Sequence, residues 1–123
     1  MNNGGTVAQG NIEDIARGMA RLLCDKKCEH AVLLAVGPVS SIADYFIIAT
    51  ATSRAHMRAC ADDIEAFAAS HAVRPLTRPA NHDGSVWTLI DLGSIVLHLF
   101  TAEGRAYYDL DKVWFEAERI PFE

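Results

Sequence analysis

Two apolar runs separated by a short polar turn make up the segment VWTLIDLGSIVLHLF, residues 86–100. A turn that contains glycine between two strand-like runs predicts a β-hairpin. If positions 92 and 93 form a two-residue turn, Trp87 lies directly across from His98. A three-residue loop with a bulge at Gly93 would shift this pairing by one residue. We expect this hairpin to form the centre of a sheet.

Successive side chains of a strand point to opposite faces of the sheet. One face of the predicted hairpin is therefore almost entirely apolar and suited to a buried core; it comprises Val86, Thr88, Ile90, Ile95, Leu97 and Leu99. The other face carries Trp87 and His98, so an aromatic and an ionisable side chain are expected to be neighbours there.

Apolar residues that recur every three or four positions predict two amphipathic helices. The first begins at Asn11, a favourable N-cap, and ends near residues 26–27, two lysines that suit a helix C-terminus. Its apolar face comprises Ile12, Ile15, Ala16, Met19, Leu22 and Leu23. The second is capped by Thr52 or Ser53 and ends near residues 70–71. Its apolar face comprises Met57, Cys60, Ala61, Ile64, Phe67 and Ala68.

Unbroken apolar runs at residues 31–36 and 45–50 predict two strands that are covered on both faces. The connection between them is too short for a crossover helix, so these strands should be antiparallel neighbours. Residues 73–78 carry Pro75, which confines any strand there to a sheet edge. Residues 79–85 are expected to form a mobile loop.

Thr101 can cap a last helix that carries Arg105, Tyr108 and Trp114. Gly104 in its first turn is expected to weaken this helix by up to about 1 kcal/mol. The order of elements is then helix, two strands, helix, three strands and helix. This order predicts an α/β (α+β) fold, with a mixed sheet of about five strands flanked by helices.

The chain has 123 residues, of which 50% are hydrophobic, and this is enough for one core and one domain. Residues 1–10 are small and polar and are expected to be disordered. The single domain is assigned to residues 11–115. Residues 116–123 are assigned to an acidic tail that we expect to be frayed.

Eleven basic and sixteen acidic residues give a net charge of −5. This balance argues against direct binding of DNA or other nucleic acid through phosphate contacts and favours a basic protein partner. No apolar run approaches the roughly 18 residues that a membrane span requires, and the first ten residues lack the pattern of a signal peptide. Three cysteines without a CxxC pair agree with a reducing compartment. We therefore expect a cytoplasmic protein with no membrane partner.

Over residues 12–114 the sequence resembles the ribosomal silencing factors, also called Iojap-related proteins. The residues that carry the resemblance are the segment ADYFIIAT at 43–50, Ser53, Arg54, Trp87, Asp91, Gly93, His98, Arg105, Tyr107, Tyr108, Leu110 and Trp114. The resemblance implies a nucleotidyltransferase-like fold without the chemistry of those enzymes, and a homodimer. It also implies binding to the large ribosomal subunit through its L-fourteen protein, which blocks joining of the small subunit and represses translation.

The resemblance supports seven residues as partner-binding candidates: Trp87, Asp91, His98, Arg105, Tyr108, Asp44 and Arg54. Aromatic residues and arginines dominate the energetics of interfaces, which favours Trp87, Arg105 and Tyr108 as anchors. Trp87 and His98 could instead be two half-buried residues under a helix.

The other candidates also have a purely structural alternative. Asp91 lies beside the predicted turn, where an aspartate side chain often accepts hydrogen bonds from backbone N–H groups. Asp44 allows the same two interpretations. The dipeptide Ser53-Arg54 could simply start a helix.

Two acidic pairs, Asp109 with Asp111 and Asp62 with Asp63, invite comparison with the paired carboxylates of a metal-dependent nucleotidyltransferase. Residues one or two positions apart on a helix point in different directions, so neither pair is expected to converge on an ion. A Gly-rich phosphate loop beside them is also missing from the sequence. We interpret these carboxylates as solvated helix charge.

Cys24, Cys28 and His30 could suggest zinc, yet structural sites usually have four ligands and the others are not apparent in the sequence. His98 and Asp91 lack a convincing nucleophile. We therefore predict a protein that is not an enzyme, with no catalytic residue, metal or cofactor. The competing hypotheses are a small metal-dependent nucleotidyl- or phosphoryl-transferring enzyme on the related fold, and a dimeric scaffold without a ribosomal role.

Overall fold

The computed structural model describes residues 9–76 and 86–122, with side chains from residue 12 onward. The described residues form four α-helices: α1 (Gln9–Asp25), α2 (Arg54–Ser70), α3 (Ala102–Tyr108) and α4 (Leu110–Val113). They form five strands: β1 (Glu29–Ala35), β2 (Tyr45–Thr50), β3 (Trp87–Asp91), β4 (Ile95–Phe100) and β5 (Glu118–Arg119). None of the helices in these ranges is long and apolar enough to cross a membrane. The predicted loop at 79–85 and most of the predicted disordered start lie outside the described residues.

The five strands form one mixed sheet in the order β3-β4-β2-β1-β5, which confirms the predicted architecture. β2 runs antiparallel to β1, as expected from their short connection, and parallel to β4. All six residues of β2 are buried, because β2 has a strand on each side and packing on both faces. The prediction that the hairpin forms the centre was wrong: β3 enters at the sheet edge, and only β4 pairs with the central strand.

The hairpin of β3 and β4 is present, but its register differs from the predicted one by two residues. Trp87 pairs with Phe100 and Leu89 pairs with His98. The turn occupies positions 93 and 94, and the flanking Leu92 N–H donates to the Ile95 carbonyl at 2.8 Å. The turn begins one residue later than predicted because a two-residue hairpin of type II′ favours glycine, with positive φ, at its first position, and φ is 87° at position 93. A shift of two residues leaves every side chain on its predicted face.

The two faces of the sheet are covered by different parts of the chain. On one face, α1 and α2 pack over the apolar side of the sheet and form the main core. On the other face, a smaller core packs beneath the C-terminal part of the chain. The main members of this smaller core are Leu34, Val36, Phe46, Ile48, Val96 and Phe100, bordered by Trp87, Leu110 and Trp114. The second face therefore has the thinner cover.

The two long helices follow the sequence pattern closely. Ser53 is the N-cap of α2, because its Oγ accepts a hydrogen bond from the His56 backbone N–H at 3.0 Å. α2 ends at Ser70, as predicted. α1 begins at Gln9, two residues before the predicted cap at Asn11.

The C-terminal region differs most from expectation. The predicted last helix is divided into α3 and α4, because Asp109 between them adopts a left-handed conformation with φ of 49°. The predicted frayed tail instead supplies β5, which pairs with β1 in antiparallel fashion. Within residues 73–76, the described part of the predicted edge strand, no strand forms. The fifth strand of the sheet is thus β5 rather than the segment around Pro75.

Candidate functional site

Aromatic rings gather on the thinly covered face, at the end of the sheet where β4 leads into α3. Trp87 stacks on Phe100 with ring centroids 5.2 Å apart and contacts Tyr108 at 4.6 Å. His98 lies between Trp87, at 5.8 Å, and Phe46, at 4.7 Å. We call Trp87, His98, Phe100, Tyr108 and Phe46 the aromatic cluster. Offset and edge-to-face contacts of this kind hold each ring in a fixed position.

A hydrogen bond fixes the protonation state of His98. The Trp87 indole Nε1–H donates to His98 Nδ1 at 3.2 Å, so Nδ1 is unprotonated and the neutral ring carries its hydrogen on Nε2. The His98 Nε2 atom is buried and has no hydrogen-bond partner among the described residues. Burial lowers the pKa of His98 to about 4. The ring is therefore neutral at physiological pH and serves as a polar, uncharged part of the cluster.

The start of α3 determines where Tyr108 lies. Thr101 caps the helix, since its Oγ1 accepts a hydrogen bond from the Gly104 N–H at 3.1 Å. Gly104 is buried against the chain entering β3, and a Cβ atom at this position would lie 2.3 Å from the Val86 carbonyl oxygen. Glycine permits this close approach. It brings α3 down onto the edge strand, so that Tyr108 reaches Trp87.

Arg105, a predicted anchor, is engaged within the chain. Its guanidinium donates to both carboxylate oxygens of Asp111, from Nε at 2.8 Å and from the second terminal nitrogen at 3.2 Å. The first terminal nitrogen donates to Thr50 Oγ1 at 3.0 Å. This forked pair joins α3, α4 and the end of β2. Arg105 thus supports the position of the cluster, although its guanidinium is already largely satisfied.

The other predicted residues do not join the cluster. Asp91 accepts a hydrogen bond from the Gly93 N–H at 2.9 Å, which is the turn-stabilising role offered above as its alternative. Asp44 lies beside the same turn, in a shallow cavity of about 250 Å³ shared with Gly93. Both lie at the opposite end of the sheet from Tyr108. Arg54 is the exposed first residue of α2, a helix that covers the other face.

Exposed apolar side chains next to the cluster were missed by the sequence reasoning. Leu89 shares the face of Trp87 and is 41% exposed, and Tyr107 contacts Tyr108 and is 80% exposed. Phe115 is also exposed and directly follows Trp114, which packs on Phe46 at 5.1 Å. Strand alternation places Leu89 on this face, so its signal was present in the sequence. The exposure of Tyr107 depends on where α3 ends.

The carboxylates of the two acidic pairs have different partners in the structure. Asp111 binds Arg105, and Asp109 occupies the left-handed position between α3 and α4. In α2, the Asp63 carboxylate lies 3.6 Å from the Lys26 ammonium. One carboxylate of each pair is therefore engaged by a basic side chain of the chain itself.

The structure groups the cysteines differently from the set of Cys24, Cys28 and His30 that the sequence suggested. Cys28, next to β1, comes together with Cys60 and His56 of α2, and their ligating atoms lie within 4.8 Å of one another. Cys24 and His30 are not members of this group. The sequence offered no sign of the contact, since 32 residues separate Cys28 and Cys60. His56 and Cys60 belong to α2, so the group lies on the face of the sheet opposite to the aromatic cluster.

The fold and this surface define a small α+β domain with a candidate partner-binding face. A family model described as "Ribosomal silencing factor during starvation" matches residues 9–123. The chain belongs to the ribosomal silencing factor family. Membership gives it a ribosome-associated, regulatory role in silencing translation.

Individual relatives agree with this assignment. The ribosomal silencing factor of Halalkalibacterium halodurans is 35% identical over 99 residues, which cover 80% of this chain and 84% of that protein. The Bacillus subtilis factor is 32% identical over 107 residues, covering 87% and 90%. The chloroplastic Iojap protein of Arabidopsis thaliana is 34% identical over 109 residues, covering 85% of this chain and 44% of that protein.

Solved structures share the fold. A crystal structure of a Bacillus halodurans protein superposes with a TM-score of 0.72 at 28% identity, covering 92% of this chain and 99% of that one. A Chromobacterium violaceum protein superposes with a TM-score of 0.76 at 22% identity, covering 94% and 92%. The second likeness concerns the fold alone.

Proposed function

We propose that this chain represses translation by binding the large ribosomal subunit through its L-fourteen protein and sterically blocking the joining of the small subunit. The activity requires affinity and bulk, without a chemical step. The observation that carries the proposal is the aromatic cluster with its exposed apolar border on the thinly covered face of the sheet. The chain would act in the cytoplasm, where ribosomes translate.

Packing and charge support this face as the binding surface. Rigid aromatic side chains with exposed edges are typical of the residues that carry most of the energy of an interface. Tyr107 and Tyr108 offer such edges, and Leu89 adds exposed aliphatic surface on the same face. The rings of Trp87 and Phe100 contact Tyr108 and hold it in place. A net charge of −5 would steer the chain toward a basic ribosomal protein.

The alternative is a metal-dependent nucleotidyl- or phosphoryl-transferring enzyme. It would require carboxylates that converge on an ion, whereas Asp111 is held by both sides of its carboxylate against Arg105. Calorimetric titration with magnesium and manganese, together with a nucleotide hydrolysis assay, separates the two. Turnover that disappears in Asp109→Asn and Asp111→Asn variants would favour the enzyme.

We also propose that the free chain is a homodimer. Exposed Tyr107, Val113 and Phe115 lie close together in sequence at the C-terminal side of the aromatic cluster, and exposed apolar groups of this kind are commonly covered by a second subunit. Light scattering at micromolar concentration gives the mass directly. A mass of one chain across the concentration range would contradict the proposal.

Co-sedimentation with purified large subunits tests the main proposal. Leu89→Arg places a charge on the exposed border of the aromatic cluster, and we expect a loss of affinity of at least tenfold. Leu76→Arg is the matched control, because Leu76 is an exposed leucine, 68% accessible, on the connection after α2. Equal retention of both variants by the subunits would refute this surface. Failure of the unaltered chain to sediment with large subunits would instead favour a dimeric scaffold without a ribosomal role.

A further inference from the structure

Two buried cysteines are in contact between the helical layer and the sheet. Cys28 lies between the end of α1 and the start of β1, and Cys60 lies in the middle of α2. Their Sγ atoms are 3.4 Å apart. A disulfide bond has a sulfur–sulfur length of about 2.0 Å, so the two atoms need to approach by only about 1.4 Å.

His56 completes this group, but its hydrogen bonds do not suit a metal ligand. Its Nδ1 accepts from the Thr52 backbone N–H at 2.9 Å, so that nitrogen is unprotonated. The hydrogen of the neutral ring is then on Nε2, which is 2.6 Å from the Lys26 carbonyl oxygen and donates to it. The Nε2 atom is the one that faces Cys60, at 3.4 Å. A metal at this atom would have to break both hydrogen bonds of the ring.

We propose that Cys28 and Cys60 are a redox modification site that closes to a reversible intramolecular disulfide on exposure to a hydroperoxide. The Cys28 thiolate attacks one peroxide oxygen, the O–O bond breaks, and hydroxide leaves, so that Cys28 becomes a sulfenic acid. The Cys60 thiolate then attacks the Cys28 sulfur, and the sulfenic hydroxyl leaves as hydroxide. The two hydroxide ions take up the two thiol protons, so two thiols and one hydrogen peroxide give one disulfide and two waters. Cys28 is assigned the first step because it is the more accessible of the two.

The surroundings of the pair make the first step slow. Burial raises the pKa of both thiols, and for Cys28 the adjacent Cys60 and Cys24 raise it further. For Cys60, the hydrogen bond with Cys28 acts against burial and lowers the pKa, Asp63 raises it, and Lys26 lowers it. Only thiolates react with peroxide, so the rate of closure should increase as the pH is raised above neutrality.

Mass spectrometry of the whole chain gives the test. The reduced protein is treated with hydrogen peroxide at pH 7 and pH 9, alkylated, and digested without reductant. We expect a loss of two hydrogens, a peptide pair joining Cys28 to Cys60 that dithiothreitol separates, and faster closure at pH 9. The bond closes a loop of about 30 residues, so the thermal midpoint should rise by roughly 10–15 °C. A fall in the midpoint on closure would contradict a disulfide that fits the native fold.

Variants separate this site from its alternatives. Cys24→Ser is the matched control and should still form the bond between Cys28 and Cys60, at least as fast as the parent does and with unchanged circular dichroism, because Cys24 only raises the pKa of Cys28. Cys60→Ser should stop at the Cys28 sulfenic acid, which dimedone traps as a stable adduct. A bond between Cys24 and Cys28 in the parent chain would overturn the proposal. Zinc chloride added alone gives a second test. Tight binding of one equivalent of zinc that protects both thiols from alkylation would also overturn the proposal, because the group would then be a metal site.

Discussion

Replacing Trp87 with alanine tests how far the aromatic cluster supports the fold. The indole is half-buried, stacks on Phe100, contacts Tyr108, and donates a hydrogen bond to His98. Loss of the two ring contacts removes about 1–3 kcal/mol beyond area burial. The buried His98 Nδ1 atom would lose its donor, which costs about 1–3 kcal/mol. Half-burial of the ring adds about 1 kcal/mol of lost transfer free energy.

We therefore expect Trp87→Ala to lower the free energy of unfolding by about 4 kcal/mol, within the range observed for buried tryptophans. For a chain of this length, the thermal midpoint should fall by roughly 15 °C. Urea denaturation followed by circular dichroism measures the change in free energy. Trp87→Phe is the informative comparison, because it keeps an aromatic ring on Phe100 while it removes the hydrogen bond to His98, and we expect a smaller loss of about 1–2 kcal/mol.

This reasoning would be refuted if the thermal midpoint of Trp87→Ala lay within about 2 °C of that of the parent chain. A change of 1 kcal/mol in unfolding free energy corresponds to roughly 4 °C, so such a small shift would mean a loss well below 1 kcal/mol. Such a result would mean that the ring contacts and the hydrogen bond contribute little to the folded state. The same variant is a poor probe of partner binding, because lost affinity would reflect lost structure as well. Exposed Leu89 is the better position for that purpose.

Three further predictions concern stability. Burial lowers the pKa of His98 to about 4, so as the pH falls this residue is protonated in the unfolded chain before it is protonated in the folded chain. The free energy of unfolding, measured by urea titration, should therefore decrease by about 2 kcal/mol between pH 7.5 and pH 5, and the decrease should be smaller in His98→Gln. Gly104→Ala should lower the free energy of unfolding by about 2 kcal/mol or more, because the added Cβ would overlap the Val86 carbonyl oxygen. Helix propensity alone predicts the opposite, a gain in stability, and thermal denaturation distinguishes the two outcomes. Ser53→Ala removes the cap hydrogen bond to His56 and should cost about 1 kcal/mol, with Ser53→Asp as a control expected to retain most of the stability.

Features that depend on neighbouring residues could be derived from the sequence. The helix caps at Ser53 and Thr101 follow from side chains that reach the backbone three residues ahead. The buried strand at residues 45–50 follows from an unbroken apolar run, and its antiparallel pairing with β1 follows from a short connection. These are local properties, because each is set by spacing along a few turns of helix or a few residues of strand.

The candidate site was only partly accessible in this way. Alternation placed Trp87 and His98 on one face, and an even shift in register preserved that placement. The contact of Tyr108 with Trp87 required more, namely the close approach of α3 to the edge strand at Gly104. The engagement of Arg105 could not be foreseen, because it depends on the left-handed residue that turns α4 back toward α3.

Contacts between distant segments were decided by the tertiary structure alone. The position of the hairpin in the sheet depends on which strand pairs with β2, and the pairing of β5 with β1 depends on how the C-terminal segment packs against the rest. The contact between Cys28 and Cys60 arises because α1 and α2 lie side by side on one face. Local patterns determine which side of a helix or strand is apolar. The hydrophobic effect is not directional, so it does not specify which other apolar side that surface will pack against. The choice of partner for each side is made only when all the elements pack together and compete for the same core.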